Sequence, residues 1–156
     1  MVNAVTVLDH VAVTVSDMER SLAFYRDLLG LQEVERHRLE GATISTMAGK
    51  PRVVMQVVRL APREMPGVLL DLQQYLAPPG RVSDAKLGDA AHAHICFGVP
   101  DLAAAYRDLS ARGVEFVSAP VSFDLEWGSV HVVFLKDPDG FIVELMQAPI
   151  SPPAGH

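Results

Sequence analysis

Four side chains in this sequence form two copies of one arrangement, an imidazole early in one apolar run and a carboxylate in a later one. His10 stands in "LDHVAVTVSD" (8–17) and His94 in "HAHICFGVPD" (92–101), 84 residues further on. Each is followed seven residues later by an aspartate, Asp17 and Asp101. The carboxylates are Asp71 in "LLDLQQYLAP" (69–78) and Glu144 in "IVELMQAP" (142–149), and the same alignment matches Gln74 with Gln147. Imidazole and carboxylate together suit a borderline divalent ion such as Zn, Mn, Fe, Co or Ni. Alternate strand residues share a face, so Leu69, Asp71 and Gln73 point one way, as do Ile142, Glu144 and Met146. A carboxylate among apolar neighbours is costly unless it is paired or bound to metal. One strand histidine alone would read as structural; matched positions in two halves predict a shared site.

The elements that must carry these groups repeat as well. A strand over 5–15 leads to a helix capped by Ser16 or Asp17, with Leu22, Phe24, Tyr25, Leu28 and Leu29 spaced for one buried face and Gly30 ending it. The second copy has a strand over 92–99, the cap Asp101, a helix carrying Leu102, Ala105, Tyr106 and Leu109, and a stop at Gly113. Both helices contain Tyr-Arg-Asp, at 25–27 and 106–108. Further strands are predicted at 32–39, 51–60 and 67–75, and again at 114–119, 129–136 and 141–147. "LKDPDGF" supplies Pro and Gly for the tight turn before the last strand. Each half therefore reads βαβββ: residues 1–76, a Pro/Gly/Ala-rich linker at 77–91, residues 92–148, and a flexible tail at 149–156.

Bulk properties narrow the function. The chain has 156 residues, 49% hydrophobic and 21% charged, enough to bury a core without staples. The one cysteine, Cys96, excludes an intramolecular disulfide and fits a reducing compartment. A net charge of −6 argues against a nucleic-acid partner, because there is no basic face to release counterions. The apolar runs fall short of the ~20 residues needed to span a bilayer. The opening "MVNAVTVLDH" lacks the basic and apolar regions of a secretory signal, so a cytoplasmic protein is expected.

The paired halves, with "DHVAVTVSD", "HICFGVPDL" and "KDPDGFIVELMQ", resemble the vicinal oxygen chelate superfamily over about residues 5–148. That group includes glyoxalase I, methylmalonyl-CoA epimerase, extradiol dioxygenases, fosfomycin-resistance enzymes and bleomycin-binding proteins. The resemblance implies an α+β fold in which two tandem βαβββ modules form a cupped, mixed-sheet pseudo-barrel around one site. It implies one divalent metal ion (Zn, Ni, Co, Mn or Fe) held by His10, Asp71, His94 and Glu144, with Glu144 or Asp71 as catalytic base, and a homodimer. The reaction it implies is lyase or isomerase chemistry on a small oxygenated molecule, by proton transfer next to a metal-bound carbonyl. The alternatives are an Fe(II) extradiol-type dioxygenase using His10, His94 and Glu144, or a non-catalytic drug-binding resistance protein.

Three departures from the superfamily patterns qualify this assignment. Asp71 stands where related sites carry Glu or Gln. The run "PRVVMQVVRL" offers no carboxylate for a second epimerase base, and Phe134 replaces the tyrosine that an extradiol site would place ten residues before its glutamate. Met55, Tyr75, Phe134 and Met146 are candidates for the floor of a substrate site, and Trp127 for its mouth. Arg52, Arg59 and Arg63 read as surface residues or as contacts for an anionic group on a substrate. Alternation turns His131 away from Phe134, and His92 sits at the start of its strand.

Overall fold

The computed structural model describes residues 5, 7–63 and 67–149, which form two compact units divided between Ser83 and Asp84. The flexible tail expected at 149–156 lies, beyond Pro149, outside the described residues. No helix among the described residues is long and apolar enough to cross a membrane.

In the first unit the elements are β1 (His10–Thr14), α1 (Met18–Leu22), β2 (Gln32–Glu40), α2 (Ala42–Met47), β3 (Val54–Ala61) and β4 (Leu69–Ala77). They build a four-stranded mixed sheet, β1-β4-β3-β2, in which β1 runs parallel to β4 and the other pairs are antiparallel. The second unit contains β5 (His94–Gly98), α3 (Leu102–Ala111), β6 (Val121–Leu125), β7 (Gly128–Lys136) and β8 (Ile142–Gln147). Its sheet, β5-β8-β7-β6, has the same pattern, with β5 parallel to β8. The class is α+β.

The first helix begins where Asp17 accepts from the Arg20 amide and continues past α1 as a π-helical segment over Ala23–Leu28. Asp101 does the same for Ala104 at the start of α3. The matched glutamines now have a role: Gln74 accepts from the Met18 amide at 3.1 Å and Gln147 from the Leu102 amide at 2.8 Å. Each last strand thus satisfies a helix N-terminal donor that has no partner within the helix. α1 packs on β4 and α3 on β8. One face of the first sheet buries Val13, Leu70, Leu72, Val58 and Leu60, while the helical segment buries Met18, Leu22 and Tyr25. In the second unit Val133, Leu135, Val143 and Leu145 are buried on the corresponding face, with Leu102 and Leu109 of α3. The opposite face of each sheet carries the candidate ligands.

Three elements differ from the sequence-based expectation. The opening strand is His10–Thr14, not 5–15, and Val7 and Leu8 before it are exposed. The strand expected at 114–119 is only a ladder fragment: Phe116 bridges Leu135, Lys136 donates to the Glu115 carbonyl and Val117 to the Phe134 carbonyl. The stretch Ser118–Pro120 interrupts the pairing, Pro120 having no amide to donate, and the edge resumes as β6. Third, α2 was not anticipated. It is six residues long with no strong apolar period, and Ser45 ties it down, donating to the Gly41 carbonyl at 2.7 Å and accepting from Val53 at 2.9 Å.

The "DPDG" turn before β8 is fixed by Asp137, whose Oδ1 accepts from the Asp139 and Phe141 amides at 2.9 and 2.8 Å. Gly140 there has φ +86°, a left-handed conformation that side chains disfavour.

Candidate metal centre

Register places the ligand candidates equivalently in the two sheets. His10 faces Leu69, two residues before Asp71, and His94 faces Ile142, two residues before Glu144. Each histidine therefore shares a sheet face with its module's carboxylate.

In the second module the pair is ready to act together. His94 Nε2 and Glu144 Oε2 are 3.1 Å apart, with the Glu144 side chain 16% exposed. The edge of one ring meets the face of the other between His94 and Phe134, whose centroids are 5.3 Å apart. Cys96, directly opposite Glu144 in the ladder, keeps an exposed side, and partial loss of water around it first, then the Glu144 charge, pushes its thiol up to about 12. Glu144 is the one charged side chain in the wall of a cavity of about 410 Å³, which Phe123, Leu125, Val132, Phe134 and Met146 also line.

The first module is arranged differently. Asp9 holds His10 Nδ1 at 2.8 Å, and that hydrogen bond keeps the Asp9 carboxyl below its usual range. His10 Nε2 is left facing Asp71, but at 3.8 Å from Oδ2. Both Asp71 oxygens are already engaged: Arg59 donates from Nε to Oδ1 at 2.7 Å and from Nη2 to Oδ2 at 2.8 Å. Arg59 is the direct cross-strand partner of Asp71, so the backbone register itself sets the fork. Glu35 on β2 stands 3.8 Å from Arg59 Nη1 and also contacts His37. The carboxylates around Arg59, Asp71 foremost, raise its guanidinium further above its ordinary range.

The donor geometry tests whether a divalent ion suits these groups. Nitrogen and oxygen ligands lie about 2.0–2.2 Å from such an ion, so two of them at tetrahedral or octahedral angles stand roughly 2.9–3.5 Å apart. The His94–Glu144 separation falls in that range. His10 suits the role singly, because a ligating histidine ordinarily gives its other ring nitrogen to a carboxylate, as His10 does to Asp9. Asp71 does not fit as it stands: it lies beyond that spacing from His10 and is committed to Arg59. Among the described residues, no three His, Cys, Asp or Glu side chains gather tightly enough to hold an ion by themselves. The donors come as one pair in each module.

The other candidates are placed as follows. Phe134 and Met146 line the cavity beside Glu144. Met55 is buried in a cluster with Ile44, Val53 and Val57, against which Tyr75 packs, so α2 covers this part of the first sheet's ligand-bearing face. Lys50 lies 5.1 Å from the Tyr75 ring centre. Trp127 sits in the β6–β7 turn, 40% exposed, and does not line the cavity. His131 lies on the helix side of its sheet, bonded to Ser122 at 2.7 Å. Sequence reasoning left out Arg59 as a partner of Asp71. The available signal was a lone arginine at an alternating position of the apolar run "VVMQVVRLA".

Tandem βαβββ units, each with a histidine on the first strand and a carboxylate on the last, give the chain its α+β architecture. The chain belongs to the Glyoxalase/Bleomycin resistance protein/Dioxygenase superfamily, whose family model matches residues 7–145. It is 30% identical to the lactoylglutathione lyase of Pseudomonas aeruginosa, over 96% of this chain and 87% of that protein. It is 29% identical to the human mitochondrial methylmalonyl-CoA epimerase, over 90% and 73% of the two chains. Among solved structures, a glyoxalase family protein from Bacillus cereus shares the fold with a TM-score of 0.81 at 17% identity, over 94% of this chain and 98% of that one.

Proposed function

We propose that this protein is a metal-dependent lyase or isomerase that moves a proton next to a carbonyl of a small oxygenated molecule. The observation that carries this reading is the His94–Glu144 pair, 3.1 Å apart, whose carboxylate stands in the wall of an otherwise apolar cavity. Similarity to a lactoylglutathione lyase and a methylmalonyl-CoA epimerase supports the reaction type. His94 and Glu144 are the proposed ligands in the second module, and His10 is the candidate donor of the first. A divalent ion bound there would draw electron density from the substrate carbonyl and lower the cost of the charge that develops on its oxygen.

Glu144 is the base, because its carboxylate stands in the wall of that cavity. It takes the proton from carbon, the bonding pair stays on the substrate, and Glu144 returns the proton at the neighbouring position. Asp71 cannot share this task while both its oxygens accept from Arg59. Phe134, Met146 and the other apolar walls keep water from the reacting carbon and seat the substrate's uncharged body.

One observation also favours the Fe(II) dioxygenase: Asp71, which that reading leaves idle, is engaged by Arg59. Incubation with α-hydroxy ketones and 2-oxo thiohemiacetals in D2O under nitrogen separates the readings. Deuterium incorporation that needs both metal and Glu144 supports the proposal; turnover of a catechol that stops without oxygen overturns it. A homodimer belongs to the same reading, and sedimentation at the single-chain mass of 16.9 kDa would refute it.

A further inference from the structure

We infer that Arg59 holds Asp71 out of metal coordination, so that His10 is left as the first module's one available donor to a metal ion of the kind the proposed function requires. The inference rests on that reading and concerns the position where the two modules should have matched.

The two sites place different residues opposite the carboxylate. Glu144 faces Phe134 across the antiparallel ladder, and a phenyl ring leaves its oxygens free to meet His94. Asp71 faces Arg59, whose planar fork covers both oxygens at 2.7 and 2.8 Å. The Asp71 side chain is 5% exposed, so water does not compete for those lone pairs. Glu35, 3.8 Å from Nη1, favours the guanidinium at this spot from its other side. A dication on Asp71 would have to displace the fork or accept a fixed positive charge beside it. Aspartate is also one methylene shorter than the glutamate of the second module, so it cannot reach round its partner. The separation of 3.8 Å from His10 is what a carboxylate held back in this way would show. Arg59 is thus a positioning residue: it acts on the ion's surroundings by keeping a potential ligand occupied.

Cobalt(II) tests this without any substrate, read by its visible absorption and by competition with a chromophoric chelator. The proteins are wild type, Asp71→Asn, Arg59→Met, Arg59→Lys and the Arg59→Met/Asp71→Asn pair. Asp71→Asn should leave the spectrum unchanged and affinity within a few-fold. Arg59→Met should bind cobalt roughly tenfold more tightly, with an altered spectrum, because a carboxylate oxygen becomes available. Adding Asp71→Asn should cancel that gain. Arg59→Lys keeps the charge but cannot fork, and decides the matter if Arg59→Met does not fold; it should show a smaller gain of the same sign, and no gain would overturn the inference. Loss of roughly tenfold or more in affinity for Asp71→Asn alone would make Asp71 a direct ligand and also overturn it. If wild type binds no cobalt but an Arg59 variant does, Arg59 is confirmed as the block and the metal reading of the native chain fails. If none of the proteins binds it, both fail.

Discussion

The two modules share a frame and differ at the site. In each, an aspartate caps the first helix, a glutamine on the last strand accepts from that helix's leading amide, and a histidine stands two ladder positions before a carboxylate. At the site, the divergence lies in what surrounds the carboxylate. Asp71 is flanked by Ala12 and Arg59, and Glu144 by Cys96 and Phe134. A structural repeat can thus keep the helix caps and the register of its first and last strands while one cross-strand neighbour decides what the acid does. In the first module it is half of an ion pair; in the second it faces a cavity beside an imidazole.

The largest predicted effect sets these roles against each other. Glu144→Gln or His94→Ala should reduce bound divalent metal from about one per chain to none, an affinity loss of more than about a hundredfold, by elemental analysis after dialysis. Retention of metal by both variants would mean that the second module is not the principal half-site.

Next comes stability. Arg59→Met strands a buried carboxylate and should cost about 2–4 kcal/mol in urea denaturation, toward the lower end of buried ion-pair losses because the Arg59 side chain is 27% exposed. Glu144→Gln removes no such partner and should cost less; equal losses would mean that the two carboxylates are held alike.

Where the modules match, the effects should match. Gln74→Leu and Gln147→Leu each remove one acceptor from a helix N-terminus and should each cost about 1 kcal/mol. A difference of several-fold between them would show that the frames are not equivalent.

The smallest effect is at Cys96. With its thiol pushed up to about 12 by partial loss of water and by Glu144, little thiolate is present near neutrality, so iodoacetamide labelling should be slow and rise steeply with pH. Glu144→Gln removes the nearby negative charge and should speed labelling by a few-fold, as followed by mass spectrometry. An unchanged rate would mean that Glu144 does not influence the thiol.

Much of this was legible in the sequence because it lives in periodicity. The repeat of His10 with His94, Asp71 with Glu144 and Gln74 with Gln147 could be read from spacing alone, and the strand registers agree with it. The interruption at Pro120 escaped because it depends on which edge of β7 the chain follows, a non-local fact. α2 escaped because Ser45, not an apolar stripe, holds it. Arg59 reads in the sequence as one of several scattered arginines, because its partner is set by the β3–β4 register, which no local pattern specifies.

If the two carboxylates at matched positions meet a metal unequally, their side-chain carboxyl carbon resonances show it most directly. With 13C-labelled wild-type protein titrated with Zn, the Glu144 carboxyl signal should move in step with the His94 imidazole, while the Asp71 signal stays with its Arg59-bound value. An Asp71 signal that shifts as far as that of Glu144, or a Glu144 signal that does not move, would contradict the account.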